Sequence, residues 1–431
     1  MRYVFFLNHS PEWKKIIDSE LNALVSSKKN VEILWESSMA KALFSNDYLG
    51  IPSKCLLDGK FNRNSLPKMN GRPSIPYTVF CADIDRWEYW GTIGSDLEYL
   101  ESYFWHCYDW LLEQYDGHGE ITFVYEQPTT TICHVFSELA KLDNFSYRGY
   151  MLARIGGYCE IHKDGRPFYP GIDIEVDKKL IPQESENSVP DYMKSNVNKH
   201  VLNGYFNVER FNRLLMSLKF RQNSFQLADV SLSYLCFAKR KVAKVINAVR
   251  AKKLMKVTAP NKKYFVFPLH FRPEASTSYN AWWMPDQYEL LRILRKSLPS
   301  DVLIVAKVHP VAVGQEFKSM SSIRKYWAGI EFLSYEYSNQ YLIEDKNCLG
   351  ILSINSTMIF DALKYRKPIG YFGNGPFPCN KPYLKKLVIS ESLPEDIMSL
   401  TQVSVPEDAY QIWSDSYKNI CNTQKGSLNF D

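Results

Sequence analysis

Long apolar runs are missing from this sequence of 431 residues. No stretch reaches the roughly 18 apolar residues that a membrane-spanning helix needs. The first apolar run, Tyr3 to Leu7, stops at Asn8 and is shorter than the core of a secretory signal. An excess of one charge is missing too, since 52 Lys and Arg face 47 Asp and Glu, a net charge of +5. These absences predict a cytoplasmic globular protein and argue against disordered and membrane-spanning classes.

Cysteine pairs are also absent. Nine cysteines are scattered from Cys55 to Cys421 without a CxxC pair, which indicates buried thiols rather than a disulfide framework or a zinc site. Aromatic residues reach 14% although the sequence has only 20 glycines, so the excess is not a low-complexity tract. We expect most of these rings in the core.

Strand-like apolar runs alternate with helical periodicity in both halves of the chain. Helices are predicted to open at Pro11 and at Pro128, and to extend over 97–115, 206–218, 286–296 and 357–365. Strands are predicted over 3–7, 31–35, 77–82, 121–125, 172–177, 263–268, 302–307, 349–354 and 368–372. This rhythm predicts parallel sheets covered on both faces.

A chain of this length is expected to form two domains. The predicted fold class is α/β, with two Rossmann-like domains and a cleft between them. We place an N-terminal Rossmann-like domain over 1–235 and a basic linker or helix over 236–262. A C-terminal Rossmann-like domain follows over 263–400, and a C-terminal tail or helices over 401–431.

Polar residues follow the strands of the second half, where sheets of this kind bind ligands. Hydroxyls and backbone N–H groups at a helix N-terminus suit a phosphate, and a histidine on the neighbouring strand could donate to the same anion. The alternatives left open are a plain helix cap and a packed surface histidine. These residues are Lys307, His309, Pro310, Ser353, Asn355, Ser356 and Thr357.

A dense polar loop follows the strand predicted over 263–268. It presents His270, Arg272 and Glu274, three ionisable types within five residues, which favours a functional loop. The structural alternative is an Arg272–Glu274 ion pair that stiffens it. Trp282 and Trp283 come next and offer flat apolar rings to a sugar.

The strings FPLHFRPEAST, WWMPDQ, KVHP and SINSTMIFDALKYRKPIGYFG, all within residues 264–373, carry a resemblance to a known family. The sequence here resembles the bacterial retaining β-Kdo transferases of capsule, O-antigen and lipopolysaccharide biosynthesis, which use CMP-β-Kdo. The His-Pro pair followed by a Ser/Thr cluster is shared in outline with CMP-sialic acid transferases. Val308 departs from the family, because an acidic residue is expected before the His-Pro pair.

The resemblance implies a GT-B-like fold, with the acceptor side in 1–235 and the CMP-sugar-binding domain in 263–400. It also implies Kdo transfer to a lipid-linked or oligosaccharide acceptor, with no cofactor and no metal. It puts His309, Ser353, Asn355, Ser356 and Thr357 on the CMP, while His270 and Arg272 hold the donor carboxylate or leaving phosphate. It also implies Asp229 as nucleophile and Glu160 as general acid/base or electrostatic partner, with Tyr158 facing sugar. From the residues alone, Asp229 is as well explained as a helix cap.

Two rival functions stay open. Asp83 and Asp85 form a D-x-D string after the strand predicted over 77–82, which could hold Mg²⁺ or Mn²⁺ in a nucleotide-diphosphate-sugar transferase. D-x-D is short and common, however. The second rival is a non-catalytic glycan-binding partner of a capsule assembly.

A basic run extends over 239–263, with ten Lys or Arg and no acidic residue. Apolar residues interleave with the charges at roughly helical spacing. The pattern suits peripheral contact with an anionic membrane, at the inner face of the inner membrane, or a solvated interdomain helix. Nucleic acid is not expected as a partner, because no binding module accompanies the charge.

Overall fold

The structure, a computed structural model, describes most of the chain. The described residues are 1–8, 11–57, 71–90, 97–127, 129–152, 158–163, 234–272, 274–284, 286–375, 381–420 and 422–423. They form two compact units, the first holding the described residues up to 163 together with those from Lys418, and the second spanning Tyr234–Tyr417. The strand predicted over 172–177 and the helix predicted over 206–218 lie outside the described residues.

Unit 1 is built on one sheet covered by helices. Its helices are α1 (Pro11–Ser26), α2 (Ser38–Phe44), α3 (Cys81–Trp90), α4 (Leu97–Tyr115) and α5 (Thr131–Leu139). Its strands are β1 (Arg2–Leu7), β2 (Asn30–Ser37), β3 (Ser53–Leu57), β4 (Ile121–Glu126), β5 (Phe145–Leu152), β6 (Tyr158–Lys163) and β14 (Asn422–Thr423). The order is β14-β6-β5-β4-β1-β2-β3, parallel from β3 to β5, with β6 antiparallel to β5 and β14 antiparallel to β6.

Unit 2 repeats the design with a sheet whose described strands are all parallel. Its strands are β7 (Met255–Lys256), β8 (Tyr264–Pro268), β9 (Leu303–Lys307), β10 (Ile330–Leu333), β11 (Cys348–Ser353), β12 (Ile369–Tyr371) and β13 (Leu384–Lys386). Its helices are α6 (Tyr234–Lys252), α7 (Ala275–Ser278), α8 (Gln287–Lys296), α9 (Phe317–Tyr326), α10 (Asn339–Glu344), α11 (Met358–Lys364), α12 (Leu393–Leu400) and α13 (Ala409–Ile420).

Burial on both faces explains why the strands read as continuous apolar runs. Every residue of β8 and of β9 is buried, as a parallel sheet covered by helices requires. The order β10-β9-β8-β11-β12-β13 reverses direction between β8 and β11, the Rossmann arrangement. Unit 1 has the same reversal between β1 and β4. The predicted class, α/β with two Rossmann-like domains, is confirmed.

One predicted strand is wrong. Residues 77–82 form a short 3-10 turn and the start of α3 instead. Phe80 is fully buried while Tyr77 is exposed, and the Ile84 N–H donates to the Phe80 carbonyl at 2.9 Å. Phe80 and the half-buried Ile84, four residues apart, therefore share a helical face against the core. The helix predicted to open at Pro128 begins instead at Thr131, with Thr130 as its N-cap residue.

Candidate functional site

The predicted polar residues of unit 2 do meet at one edge of its sheet. They follow β11, β8 and β9, which lie side by side in that order in the sheet. The carboxyl ends of parallel strands lie at the same edge. The gap between β8 and β11 is the switch point, where open α/β sheets bind ligands. The geometry of this edge is therefore the geometry of the candidate site.

His270, two residues beyond β8, is fixed on every side. Its side chain is buried, and its backbone N–H donates to Gln287 Oε1 at 2.9 Å while its carbonyl accepts from Gln287 Nε2 at 3.3 Å. Its ring Nε2 accepts the Asn355 backbone N–H at 3.3 Å, and Nδ1 lies 3.3 Å from Glu274 Oε2. This pattern puts the ring proton on Nδ1, facing Glu274. His270 thus ties the β8 loop to the loop after β11.

The loop after β11 is held by its own hydroxyls. Ser353 Oγ accepts the Ser356 N–H at 2.9 Å, and Ser356 Oγ accepts the Met358 N–H at 3.2 Å. The cap role left open for Ser356 is therefore real, whereas Thr357 makes no side-chain cap bond. Asn355 is buried beside Gly373, where a Cβ would collide with the Asn355 side chain. A glycine at 373 is thus needed for this loop to close.

Lys307 and Val308, at the end of β9, are buried and serve the packing of unit 2. Lys307 Nζ donates to the Ser334 carbonyl at 2.7 Å and to the Tyr337 carbonyl, and burial lowers its pKa to about 8. Val308 is 2% exposed, so the position where the family resemblance predicts an acidic residue belongs to the core here. Lys307 therefore supports the loop beyond β10.

His309 and Pro310 are partly exposed at the end of the same strand. Burial lowers the pKa of His309, while the nearby Glu274 carboxylate opposes that shift and His270 adds to it. The His309 ring lies 6.2 Å from the Phe271 ring between centroids. A neutral imidazole at this strand end, near His270 and Glu274, can donate one hydrogen bond to an anion.

Arg272 is paired with a carboxylate at the start of α8. Its Nη1 lies 2.5 Å from Asp286 Oδ2, and Asp286 Oδ1 accepts the Tyr288 N–H as the N-cap of α8. Arg272 remains partly exposed, with 31% of its side chain accessible. A partly solvated guanidinium at a strand end can hold a carboxylate or phosphate.

Gln287 and Glu316 belong to the same network and were missed from the sequence. Gln287 Nε2 donates to Glu316 Oε2 at 2.7 Å, and burial raises the pKa of Glu316. Gln287 thus links His270 to a carboxylate 46 positions away in the chain. No local pattern signals such a pair, because it exists only once β8 and α9 are packed.

The two adjacent tryptophans lie beside this network and are exposed. Trp282 is 52% and Trp283 38% accessible, and their rings meet edge to face at 5.9 Å. Lys386 Nζ lies 5.8 Å from the Trp283 ring centre and donates to Asn374 Oδ1. The Asn374 N–H in turn donates to the Asn280 carbonyl, which fixes the tryptophan loop beside the segment after β12. Exposed indoles at a sheet edge are suited to stacking on a sugar or base.

Of the two catalytic carboxylates predicted from the family resemblance, the structure describes Glu160, in unit 1. Glu160 lies on β6, fully buried, and its Oε2 is 3.3 Å from Nε2 of the equally buried His162. Of Tyr158 the structure describes only its place as the first residue of β6. Asp229 lies outside the described residues.

Asp83 and Asp85 lie on α3 rather than after a strand. Asp83 Oδ2 accepts both the backbone N–H and the hydroxyl of Thr131 at 2.7 Å, so this carboxylate holds the start of α5. Within the described ranges, no group of three or more His, Cys, Asp or Glu side chains is placed to hold a metal. The cysteines whose side chains are described are not joined in disulfide bonds; they are Cys55, Cys81, Cys107, Cys133 and Cys348.

A second polar set at the switch point of unit 1 was also missed. Asn8 follows β1, and its Nδ2 donates to the Tyr125 hydroxyl on β4 at 2.8 Å, with both residues buried. Gln127, Thr129 and Thr130 are buried polar residues just beyond β4. The interruption of the first apolar run at Asn8 was the available signal.

The sequence was compared with protein families and solved structures. The model of the family described as capsule polysaccharide biosynthesis proteins matches residues 175–379, which include the whole unit 2 network from His270 to Gly373. A search of curated proteins found no match.

Three solved structures illustrate the structural likeness. The KpsC β-Kdo 2,7 transferase of Thermosulfurimonas dismutans is 13% identical, with 72% of this chain and 89% of that chain covered and a TM-score of 0.32. The UDP-GlcNAc 2-epimerase of Neisseria meningitidis is 12% identical, with coverage of 96% and 99% and a TM-score of 0.29. The glycosyltransferase of kitacinnamycin is 8% identical, with coverage of 97% and 94% and a TM-score of 0.30.

Likenesses at these TM-scores carry no argument about activity, so the family match stands on the sequence. It spans the strings that carried the resemblance, from the loop after β8 to the segment after β12. Residues 175–379 of this chain are therefore similar to the family of capsule polysaccharide biosynthesis proteins.

Proposed function

We propose that the chain is a glycosyltransferase that moves Kdo from CMP-β-Kdo to a surface-polysaccharide acceptor with retention of configuration. The observation that carries the proposal is the polar cluster at the switch point of unit 2, where His270, His309 and the β11 loop come together. The family match to capsule polysaccharide biosynthesis covers this cluster. A Rossmann-like sheet edge of this kind suits a nucleotide-sugar donor.

The donor's phosphate is proposed to lie against the hydroxyls of Ser356 and Thr357, with His309 donating to it. Arg272 is proposed to hold the carboxylate of the acidic sugar, which requires it to share or leave its contact with Asp286. CMP departs as a monophosphate, and these hydrogen bonds could stabilise it without a divalent ion. No cofactor is part of the proposal.

The proposed chemistry is a double displacement. A carboxylate oxygen of Asp229 attacks the anomeric carbon, the bond to the phosphate oxygen breaks, and CMP leaves with the bonding electrons. An acceptor hydroxyl then attacks the same carbon, its proton passes to a general base, and the Asp229 ester bond breaks. The role of Asp229 rests on the family resemblance, as does that of Glu160 as acid/base or electrostatic partner.

Trapping the covalent intermediate tests this chemistry. The chain is incubated with CMP-Kdo and no acceptor, and its intact mass is measured. An added mass of one Kdo residue is expected in wild type and in Asp301→Ala, an exposed-carboxylate control, but not in Asp229→Ala. Full transferase activity in Asp229→Ala would refute the nucleophile, and an inverted anomeric product by NMR would refute retention.

The metal-dependent alternative has less support in the geometry, because the Asp83 carboxylate is engaged by Thr131. Transfer that survives EDTA would argue against it, and transfer abolished by EDTA would favour it. The non-catalytic alternative predicts neither CMP binding nor CMP release from the donor. The proposed acceptor is a lipid-linked or oligosaccharide glycan, and the proposed location is the cytoplasmic face of the inner membrane.

A further inference from the structure

Helix α6 exposes a row of apolar side chains that no described contact explains. Val242, Val245, Ile246 and Val249 are 59%, 49%, 48% and 62% accessible. Their spacing of three, one and three residues puts them on one side of the helix. We call these four residues the valine face. Apolar side chains exposed as a continuous strip mark an interaction surface more often than isolated ones do.

The opposite side of α6 is already packed within unit 2. Ala251 is fully buried, and Ala248 packs against the hydrophobic core. A Cβ on Gly314 would lie 2.9 Å from Ala248 Cα and closer still to the Lys244 carbonyl, so a neighbouring loop seats directly on this side. The helix also contacts α9. The valine face is therefore additional to the surface that docks α6 onto its unit.

Positive charge borders the valine face on both sides. At 100° per residue, Lys239 and Arg250 fall on one flank and Lys252 on the other, and all three are exposed, as is Lys253 directly after the helix. The segment 239–263 has ten Lys or Arg and no acidic residue of its own, and one of the ten, Lys256, pairs with Glu331 at 2.5 Å. The surface is thus apolar along its centre and cationic along its edges.

This combination selects one kind of partner. Nucleic acid would satisfy the charges but leave the apolar row in water. A bilayer containing anionic lipid satisfies both, since the phosphates meet the lysines while the valines enter the headgroup and acyl boundary. Among the helices of the described part, none is long and apolar enough to cross a membrane.

We propose that α6 lies in the plane of an anionic lipid surface, with the valine face inserted and Lys239, Arg250, Lys252 and Lys253 on lipid phosphates. The contact does not depend on the proposed function, which only gives it a use. An enzyme bound to the membrane surface meets a lipid-linked acceptor at higher local concentration. The contact itself follows from the exposure and charge of α6.

Vesicle co-sedimentation tests the contact, with phosphatidylcholine vesicles and with vesicles of phosphatidylcholine and phosphatidylglycerol at about 3:1. We expect binding at least about tenfold tighter to the anionic vesicles, weakened by salt. Replacing the valine face by serine, or the four basic residues by glutamine, should each weaken binding at least about tenfold. Val388→Ser with Ile389→Ser, an exposed apolar pair elsewhere in unit 2, is the matched control and should bind as wild type does.

Three results would overturn the proposal. They are equal binding to neutral and anionic vesicles, unchanged binding of the serine or glutamine variant, and no binding of wild type to either vesicle. If wild type fails to bind vesicles but forms a dimer that the serine variant loses in sedimentation velocity, the partner is a second copy. A CMP-induced melting shift, measured on every variant, separates failure of this contact from failure of the transferase assignment.

Discussion

Removing the His270 ring should loosen the loop that follows β11. The His270→Ala variant loses the ring Nε2 that accepts the Asn355 N–H and the ring Nδ1 beside Glu274. Both His270 and Asn355 are buried, so water does not readily replace the lost acceptor. The N–H of Asn355 is left without this partner while the loop stays closed.

The size of the effect follows from that lost acceptor. Losing one partner of a buried hydrogen bond costs about 1–3 kcal/mol. If this cost appears as easier local opening, the Asn355 amide should exchange its hydrogen about five to 150 times faster, since about 1.4 kcal/mol is a factor of ten. The His270→Gln variant should recover most of the protection, because its amide oxygen can accept from the same N–H.

Hydrogen exchange followed by mass spectrometry on a peptide covering 350–360 measures this directly. A peptide within 303–307 serves as an internal reference, and His118→Ala, an exposed histidine of unit 1, is the control variant. Exchange at 350–360 that is unchanged in His270→Ala would refute the link between the two loops. Equal loss of protection in His270→Gln would show that the hydrogen bond is not its cause.

Three further predictions concern stability. Burial raises the pKa of Glu20 from 4.5 to about 7. The fold therefore favours the protonated carboxyl, and its contribution, complete below about pH 4.5, is lost as the pH rises through 7. In thermal melts, Glu20→Gln should gain stability over wild type at pH 8 but not at pH 4.5, by at most about 3 kcal/mol, and a pH-independent difference would contradict this. Lys307→Met should lower the melting temperature through two lost hydrogen bonds, about 1–3 kcal/mol, and leave CMP affinity within about twofold. Weakening of CMP binding by tenfold would make Lys307 a donor ligand, as the sequence predicted. Trp413 stacks on Phe360 with centroids 3.8 Å apart and is 2% exposed, so Trp413→Ala should cost about 3–5 kcal/mol in urea unfolding of unit 2. Unchanged unfolding would mean that α13 is not docked.

Much of the fold was predictable because buried helices and strands leave recognisable apolar patterns in the sequence. The predicted helix over 97–115 coincides with α4, and the strands on either side of the unit 2 switch point were placed within one residue at each end. The strand predicted over 77–82 failed because a short apolar run fits a strand and one turn of a buried helix equally well. Only the packing of Phe80 into the core of unit 1 decides between them.

The positions of polar residues at the candidate site could be predicted from the sequence, but the hydrogen bonds between them could not. A polar loop after a strand locates His270 and His309, because parallel strands end at a common edge. The partners of those residues are distant in sequence, as with His270 and Asn355, which are 85 positions apart. Glu316 has no local signature at all. Pairings of this kind depend on the tertiary fold, which periodicity cannot supply.

The central claim, that unit 2 binds a CMP-linked sugar, is tested most directly by calorimetric titration of the full chain with CMP, UDP and GDP in the presence of EDTA. We predict saturable binding of CMP and at least about tenfold weaker binding of UDP and GDP, with CMP affinity reduced in His309→Ala. Preference for UDP or GDP, binding that requires a divalent metal, or no binding of CMP would contradict it.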